Sequence, residues 1–179
     1  MTPAYTCYAG PFMETFYHSR MQSFVGPLLI AVSEKGLVFL EFELGKLPRK
    51  TAKNIRWEES KAKIRDHVAE LREYFAGTRR QFTFPLDLRG TPFQLKCWHA
   101  LLDIPYGETR TYADIARAVG CPHGYRAVGL ANNRNPIAIV VPCHRVIASD
   151  GTLCGYGGGL EIKRKLLELE GALSGILAA

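Results

Sequence analysis

The sequence has no uninterrupted apolar run that approaches the roughly 18 residues needed to cross a membrane. No basic segment followed by an apolar stretch of the signal-peptide type is present either. The five cysteines are an odd number without a Cys-x-x-Cys pair: Cys7, Cys97, Cys121, Cys143 and Cys154. This spacing argues against a zinc ribbon and against a disulfide framework. We therefore expect a protein without a membrane segment in a reducing compartment, which is the cytoplasm, or the nucleus if the source is eukaryotic.

Lysine and acidic residues are scarce in one segment of the chain. Between Thr109 and Ser149 there is no lysine and a single acidic residue, Asp114. The same segment carries five arginines, namely Arg110, Arg117, Arg126, Arg134 and Arg145, in a chain whose formal net charge is +6. Arginine is well suited to contacts with phosphates and base edges, so the bias favours a polyanionic partner. An ordinary solvated basic surface is the alternative.

The pattern of the first half predicts a small α/β domain. Leu28–Val32 and Leu37–Leu44 flank a Glu-Lys-Gly turn and predict a β-hairpin. From Glu58 the apolar spacing changes to that of a helix, which ends near Gly77; its buried stripe comprises Ile64, Val68, Leu71 and Phe75. We place a domain boundary at Arg89-Gly90, which divides the 179 residues into domains 1–89 and 90–179.

The second half predicts a helical domain. Thr91, Pro92 and Gln94 together form a helix start, and Thr111 with Asp114 forms another. A third helix, about Gly124 to Asn133, follows a short glycine-containing turn, so the last two helices predict a helix-turn-helix whose second helix contacts nucleic acid. Ala127, Gly129 and Ala131 give that helix a face of small residues next to Arg126. A helix-packing seam would explain the same face.

The segment Ile137 to Arg145 is the main candidate for chemistry. Its apolar, mostly β-branched start predicts a buried strand that ends at Pro142. Cys143, His144 and Arg145 would then be presented together at the strand's end. A thiol reacts as the thiolate, and neighbouring His and Arg are groups that lower a thiol pKa. A small buried cysteine beside polar loop residues is the structural alternative, and the residue types alone also permit a Cys-His hydrolase.

Several motifs together resemble the O6-alkylguanine-DNA alkyltransferases, the methylated-DNA–protein-cysteine methyltransferases. The matching segments are Thr91–Gln94 with Trp98, Ile104–Thr109, Thr111-Tyr112, Arg126–Gly129, Asn135-Pro136, Ile139–Ile147, Gly155–Leu160, Lys163 and Leu166–Gly171. They cover essentially all of residues 91 to 171, and the likeness is weaker over Val25 to Gly77. The resemblance implies a ribonuclease H-like N-terminal domain, with a small antiparallel sheet and a helix. It also implies a mainly helical, winged-helix-like C-terminal domain with the helix-turn-helix.

The resemblance also implies a role for each matching residue. Cys143 would accept the alkyl group from O6 of a guanine rotated out of the duplex, in an irreversible reaction without turnover. His144 would act as its base through a water, and Glu170 would orient His144. Asn135 would hold the active-site turn together. Tyr112 would assist extrusion of the nucleotide and donate a proton to the departing guanine.

The family implies contacts with double-stranded DNA that carries O6-alkylguanine, and O4-alkylthymine as a further lesion. The DNA contacts, in the minor groove, would come from Thr111, Tyr112, Arg126, Ala127, Gly129 and Ala131. The substrate pocket would include Tyr156, Gly157, Val146 and Trp98. Some members have serine where this chain has Gly157, which removes one possible contact to O6. We expect a monomer without metal or organic cofactor. The alternative is a non-catalytic lesion-binding protein of the alkyltransferase-like type, although those have tryptophan where Cys143 stands.

Overall fold

The N-terminal part of the computed structural model, which describes residues 14–42 and 54–173, is a four-stranded sheet with one helix. The strands are β1 (Glu14–Ser23), β2 (Gly26–Ser33), β3 (Gly36–Phe42) and β4 (Ile55–Glu59), in the order β3-β2-β1-β4. The predicted hairpin is confirmed as β2 and β3, whereas Leu44 lies outside the described residues. The sheet is mixed rather than antiparallel because β4 pairs with β1 in parallel. β1 itself was not predicted.

The first helix, α1 (Arg65–Phe75), begins later than the sequence predicts. Glu58 and Glu59 belong to β4, where they pair with β1 instead of lying at a helix N-terminus. Ile64 is the N-cap residue and, like Leu71, is completely buried, so the predicted apolar stripe does face the core. Gly77 adopts φ +73°, a left-handed conformation that suits glycine after a helix end.

The C-terminal part has the predicted helices. They are α2 (Pro92–Leu102), α3 (Tyr112–Ala118), α4 (Tyr125–Asn133) and α5 (Leu160–Leu169), and a short parallel pair joins β5 (Arg110–Thr111) to β6 (Val146–Ile147). Thr91 with Gln94 and Thr111 with Asp114 both form complete capping boxes, as predicted. α3 and α4 form the helix-turn-helix. In the described part of the chain no helix is long and apolar enough to span a bilayer.

The free edge of β3 joins the two parts of the molecule. The Leu40 N–H donates to the Pro136 carbonyl at 2.9 Å, and the Ala138 N–H donates to the Leu40 carbonyl at the same distance. Further along the edge, Leu37 exchanges similar bonds with Pro85 and Asp87. The chain a few residues before Cys143 is therefore held by main-chain hydrogen bonds to the sheet.

Candidate active site

The segment Ile137 to Val141 is buried as predicted, but it is not a strand. The Val141 N–H donates to the Ile137 carbonyl at 3.0 Å, and Ile139 has φ +72°, so the segment is a tight turn. The Asn135 side chain bridges the turn: Oδ1 accepts from the Ile137 N–H at 3.0 Å and Nδ2 donates to the Val141 carbonyl at 2.8 Å. The apolar run therefore predicted burial correctly, but the backbone forms a turn that is held by this amide and by the single bridge from Ile137 to Leu40 of β3.

Cys143 follows this turn in a single turn of 3-10 helix, Cys143–Arg145. Its side chain is nearly enclosed, with 8% of the residue exposed, and Sγ lies 3.2 Å from Asn135 Nδ2. Burial raises the pKa of the Cys143 thiol, while the Asn135 hydrogen bond and the charge of Lys163 partly offset that rise. At neutral pH the resting group is therefore the thiol, and reaction requires a base.

His144 and Glu170 form a completely buried pair next to the cysteine. His144 Nε2 lies 2.9 Å from Glu170 Oε1. Burial lowers the pKa of His144 more strongly than the Glu170 carboxylate raises it, so the ring is neutral at pH 7. Burial also opposes ionisation of Glu170, but the hydrogen bonds from His144 and Arg145 outweigh it and hold that pKa below its ordinary value. A neutral imidazole oriented by a carboxylate is suited to accept a proton.

Arg145 points into the protein rather than towards solvent. Its Nε donates to Glu170 Oε2 at 2.8 Å and its Nη1 donates to the Ile104 carbonyl at 2.6 Å. Tyr74 of α1 also donates to Glu170, with the hydroxyl 2.6 Å from Oε1. Sequence reasoning missed Tyr74, because an aromatic residue in an amphipathic helix indicates only core packing. Through it, the N-terminal part contributes directly to the His144–Glu170 pair.

A cavity of about 220 Å³ opens at Cys143. Its lining residues are Glu41, Phe42, Asn132, Asn133, Asn135, Ala138, Cys143, Tyr156, Gly157 and Gly158. The predicted pocket residues Tyr156 and Gly157 are thus next to the thiol. The cavity also has a wall from β3, which the sequence did not indicate. A Cβ at Gly157 would meet no atom within 4 Å, so this position leaves open space.

Two of the predicted pocket residues are not in this lining. Trp98 is 2% exposed and its indole N–H donates to the Ala131 carbonyl at 3.0 Å, so it joins α2 to α4 in the core. Val146 is completely buried in β6, where its carbonyl accepts from Lys163 Nζ at 2.6 Å. Ala131, predicted to contact DNA, is likewise 2% exposed. The small residues of α4 therefore do not all face the same surroundings, because Ala131 packs in the core between α2 and α4.

Three of the other predicted DNA-contacting residues, Tyr112, Arg126 and Gly129, border a second, open depression of about 530 Å³. Its lining includes Tyr112, Tyr125, Arg126, Gly129 and Ser149. Gly129 lies beside the Tyr112 ring, where a Cβ would make an ordinary van der Waals contact at 3.7 Å. Burial, and then the neighbouring Cys154, raise the pKa of Tyr112, so its hydroxyl keeps its proton at neutral pH. Tyr125, half exposed beside Arg126, was not predicted.

The remaining α4 and α3 residues differ in accessibility. Ala127 is exposed and can contact a ligand. Thr111 is half-buried, and its hydroxyl is already used by the Asp114 capping box. Within the ranges 14–42 and 54–173, no group of three His, Cys, Asp or Glu side chains is placed to hold a metal ion. Cys7 lies outside those ranges.

A buried cysteine that lines a cavity, a helix-turn-helix and an N-terminal sheet with one helix together define an α/β protein with a nucleic-acid-binding motif and a candidate cysteine nucleophile. Residues 92–172 match the family described as "6-O-methylguanine DNA methyltransferase, DNA binding domain", and residues 16–88 match its "ribonuclease-like domain". The chain belongs to this 6-O-methylguanine DNA methyltransferase family.

Individual relatives agree with the family assignment. A protein of Methanosarcina barkeri named methylated-DNA–protein-cysteine methyltransferase is 51% identical over 154 residues, which are 86% of this chain and 96% of that protein. A Mycobacterium leprae protein of the same name is 49% identical over 86% of this chain and 92% of its own length. The crystal structure of Mycobacterium tuberculosis OGT in complex with DNA is similar with a TM-score of 0.79 and 47% identity, covering 88% of this chain and 93% of that one.

Proposed function

We propose that this protein repairs O6-alkylguanine in double-stranded DNA by transferring the alkyl group irreversibly to Cys143, once per molecule. The observation that carries the proposal is the enclosed Cys143 thiol, which lines a cavity next to the His144–Glu170 pair. The names of the relatives support it, since they describe transfer from methylated DNA to a protein cysteine. O4-alkylthymine is a second substrate in this proposal.

The reaction forms a bond from sulfur to the alkyl carbon and breaks the bond from that carbon to O6. His144 Nε2 is occupied by Glu170, so Nδ1 is the nitrogen that receives the thiol proton through a water. The Tyr112 hydroxyl, which is protonated at neutral pH, donates a proton to the base as the bond to O6 breaks, so that guanine leaves as a neutral molecule. The proton taken up by His144 is released to solvent, from which the Tyr112 oxygen regains its proton. The product is a thioether, and no group in the described site is suited to cleave it.

Thiol activation explains only part of the expected acceleration. An ordinary cysteine is already ionised to a few per cent near neutrality, so complete ionisation contributes at most about 2 kcal/mol to the barrier. Holding sulfur in line with the alkyl carbon, and neutralising the departing base, contribute more. The hydrogen bonds of Asn135 to both sides of the turn fix the sulfur position that this alignment requires.

Access to Cys143 requires that the damaged nucleotide leave the duplex. In this proposal α4 lies in the minor groove, Arg126 occupies the space of the extruded base, and Ala127 and Gly129 allow close approach of the helix. Arg126 and Ala127 are both exposed, which this role requires. Domains 1–89 and 90–179 act together as a monomer, with the second carrying the DNA contacts and the acceptor.

The test follows the alkyl group. Duplex DNA labelled on the O6-methyl carbon is mixed with an excess of protein, and the label is located by intact mass and peptide mapping. We expect one methyl group on Cys143, none on a Cys143→Ser variant, and normal transfer by Cys121→Ser, which removes an exposed cysteine. Label that stays on the DNA, or that moves equally well to the Cys143→Ser protein, would refute the proposal.

A further inference from the structure

Asn132 of α4 is a polar side chain that the structure leaves without a partner. Only 7% of the residue is exposed, and neither its amide nitrogen nor its amide oxygen has a hydrogen-bond partner. Its main chain is satisfied in the usual way, because the Asn135 N–H donates to the Asn132 carbonyl at 3.1 Å. Asn132 also lines the cavity that contains Cys143. The unmet hydrogen-bonding capacity is therefore at the candidate active site.

An unpartnered buried amide is unfavourable, and native proteins contain few of them. The neighbouring buried positions of α4 are apolar, Val128 and Ala131, so the surroundings do not require an amide. The Tyr156 hydroxyl is a second buried group without a partner, and Tyr156 lines the same cavity. Two such groups around one cavity point to a polar ligand that completes them.

We propose that Asn132 hydrogen-bonds the extruded base and selects guanine lesions over thymine lesions, an inference that rests on the proposed function. A transferred methyl group has no polar atom, so the partner of Asn132 must lie on the base. A phosphate is too strongly hydrated and too far outside to reach a side chain this deeply enclosed. A base rotated into the cavity brings polar atoms to this depth.

The chemistry of the two lesions gives the direction of selection. O6-alkylguanine presents a ring nitrogen acceptor beside an amino donor, which matches the N–H donor and carbonyl acceptor of an asparagine side chain. O4-alkylthymine presents a ring nitrogen and a carbonyl on the corresponding edge, and both are acceptors. An amide can satisfy one of those atoms but not both. Asn132 therefore contributes more to the guanine reaction.

The experiment compares wild type with Asn132→Leu, in which an apolar side chain of similar size replaces the amide. Second-order rates of Cys143 alkylation are measured with duplexes containing O6-methylguanine or O4-methylthymine, and with free O6-benzylguanine. We expect an approximately tenfold loss on both guanine substrates, which corresponds to one buried hydrogen bond, and a smaller loss on the thymine substrate. Tm should stay the same or rise, because the unsatisfied amide is removed.

A loss of rate accompanied by a lower Tm, or equal losses on guanine and thymine lesions, would overturn the inference in favour of a packing role. A loss confined to DNA substrates would also overturn it, because the contact would then be to the DNA backbone.

His67→Leu is the matched control, since His67 also has unpartnered buried nitrogens but packs on Phe84. The alkylation rates of this variant should equal those of wild type. If Asn132→Leu does not fold, Asn132→Ser tests the same ratio of rates. Methyl transfer by wild type is measured in parallel, so its absence would instead refute the proposed function.

Discussion

Glu170 Oε1 lies 2.9 Å from His144 Nε2, and neither side chain reaches solvent. The same carboxylate accepts from the Arg145 guanidinium and from the Tyr74 hydroxyl, so it is the common acceptor of three buried donors. It connects the imidazole beside the acceptor cysteine to α1 of the N-terminal part. Loss of this carboxylate should therefore affect both stability and reactivity.

Glu170→Ala should lower the free energy of unfolding by about 3–5 kcal/mol, because it leaves the Arg145 charge buried without its partner. Urea unfolding followed by circular dichroism measures the difference. Glu168→Ala is the control, since Glu168 makes an exposed ion pair with Arg164 and its loss should cost less than about 1 kcal/mol. If both substitutions lowered the free energy of unfolding by the same amount, the buried contacts of Glu170 would not be important for stability.

His144 should make stability depend on pH on the acid side of neutrality. Burial lowers the pKa of His144, so as the pH falls the unfolded chain binds a proton on this residue before the folded chain does. Above the ordinary histidine pKa of about 6.5, the free energy of unfolding does not depend on the protonation of His144. Below that pH the free energy of unfolding decreases, by at most ~1.4 kcal/mol per pH unit for this one group. Unfolding measured from pH 8 to 5 should show a shallower slope for His144→Asn.

Asn135→Ala should shift the pH profile of alkyl transfer to higher pH. The Asn135 amide donates to Sγ at 3.2 Å and so favours the thiolate, which burial otherwise opposes. The same change releases the turn, so the rate at pH 7.5 should fall about tenfold or more, the scale expected when a positioning contact is lost. Single-turnover reactions with O6-benzylguanine between pH 6 and 10 measure both effects. A lower rate with an unshifted profile would show that Asn135 acts through geometry alone.

These contacts also show what local sequence can and cannot predict. The capping boxes of Thr91 and Thr111 are formed within four residues, so both helix starts followed from the sequence. The turn before Cys143 did not, because two of its hydrogen bonds come from the Asn135 side chain and others come from β3, which is distant in sequence. The Tyr74–Glu170 bond joins residues 96 positions apart, and local spacing carries no information on such a pair. The matching motifs predicted roles for Cys143, His144 and Glu170, but they did not predict the wall that β3 gives to the cavity.

Lys163 should be required for the shape of the site although it does not line the cavity. It is completely buried, and Nζ donates to the Val146 carbonyl at 2.6 Å and to the Cys154 carbonyl at 2.8 Å. Lys163→Met retains the volume but leaves both carbonyls without this donor, at a cost of about 1–3 kcal/mol in unfolding free energy. Lys165→Met, at a partly exposed position that pairs with the exposed Glu161, should change stability by less than about 1 kcal/mol.

Alkylation of Cys143 should destabilise the fold. The sulfur is nearly enclosed and lies close to Asn135, so an added methyl group must displace neighbours or weaken that contact. Overpacking of this kind costs about 1–3 kcal/mol. For a chain of this size, each 1 kcal/mol corresponds to roughly 2–4 °C in Tm. Calorimetry before and after complete reaction with methylated DNA measures the shift, and Cys143→Ala protein treated identically provides the baseline. An unchanged Tm in the methylated wild type would mean that the cavity accommodates the product without strain.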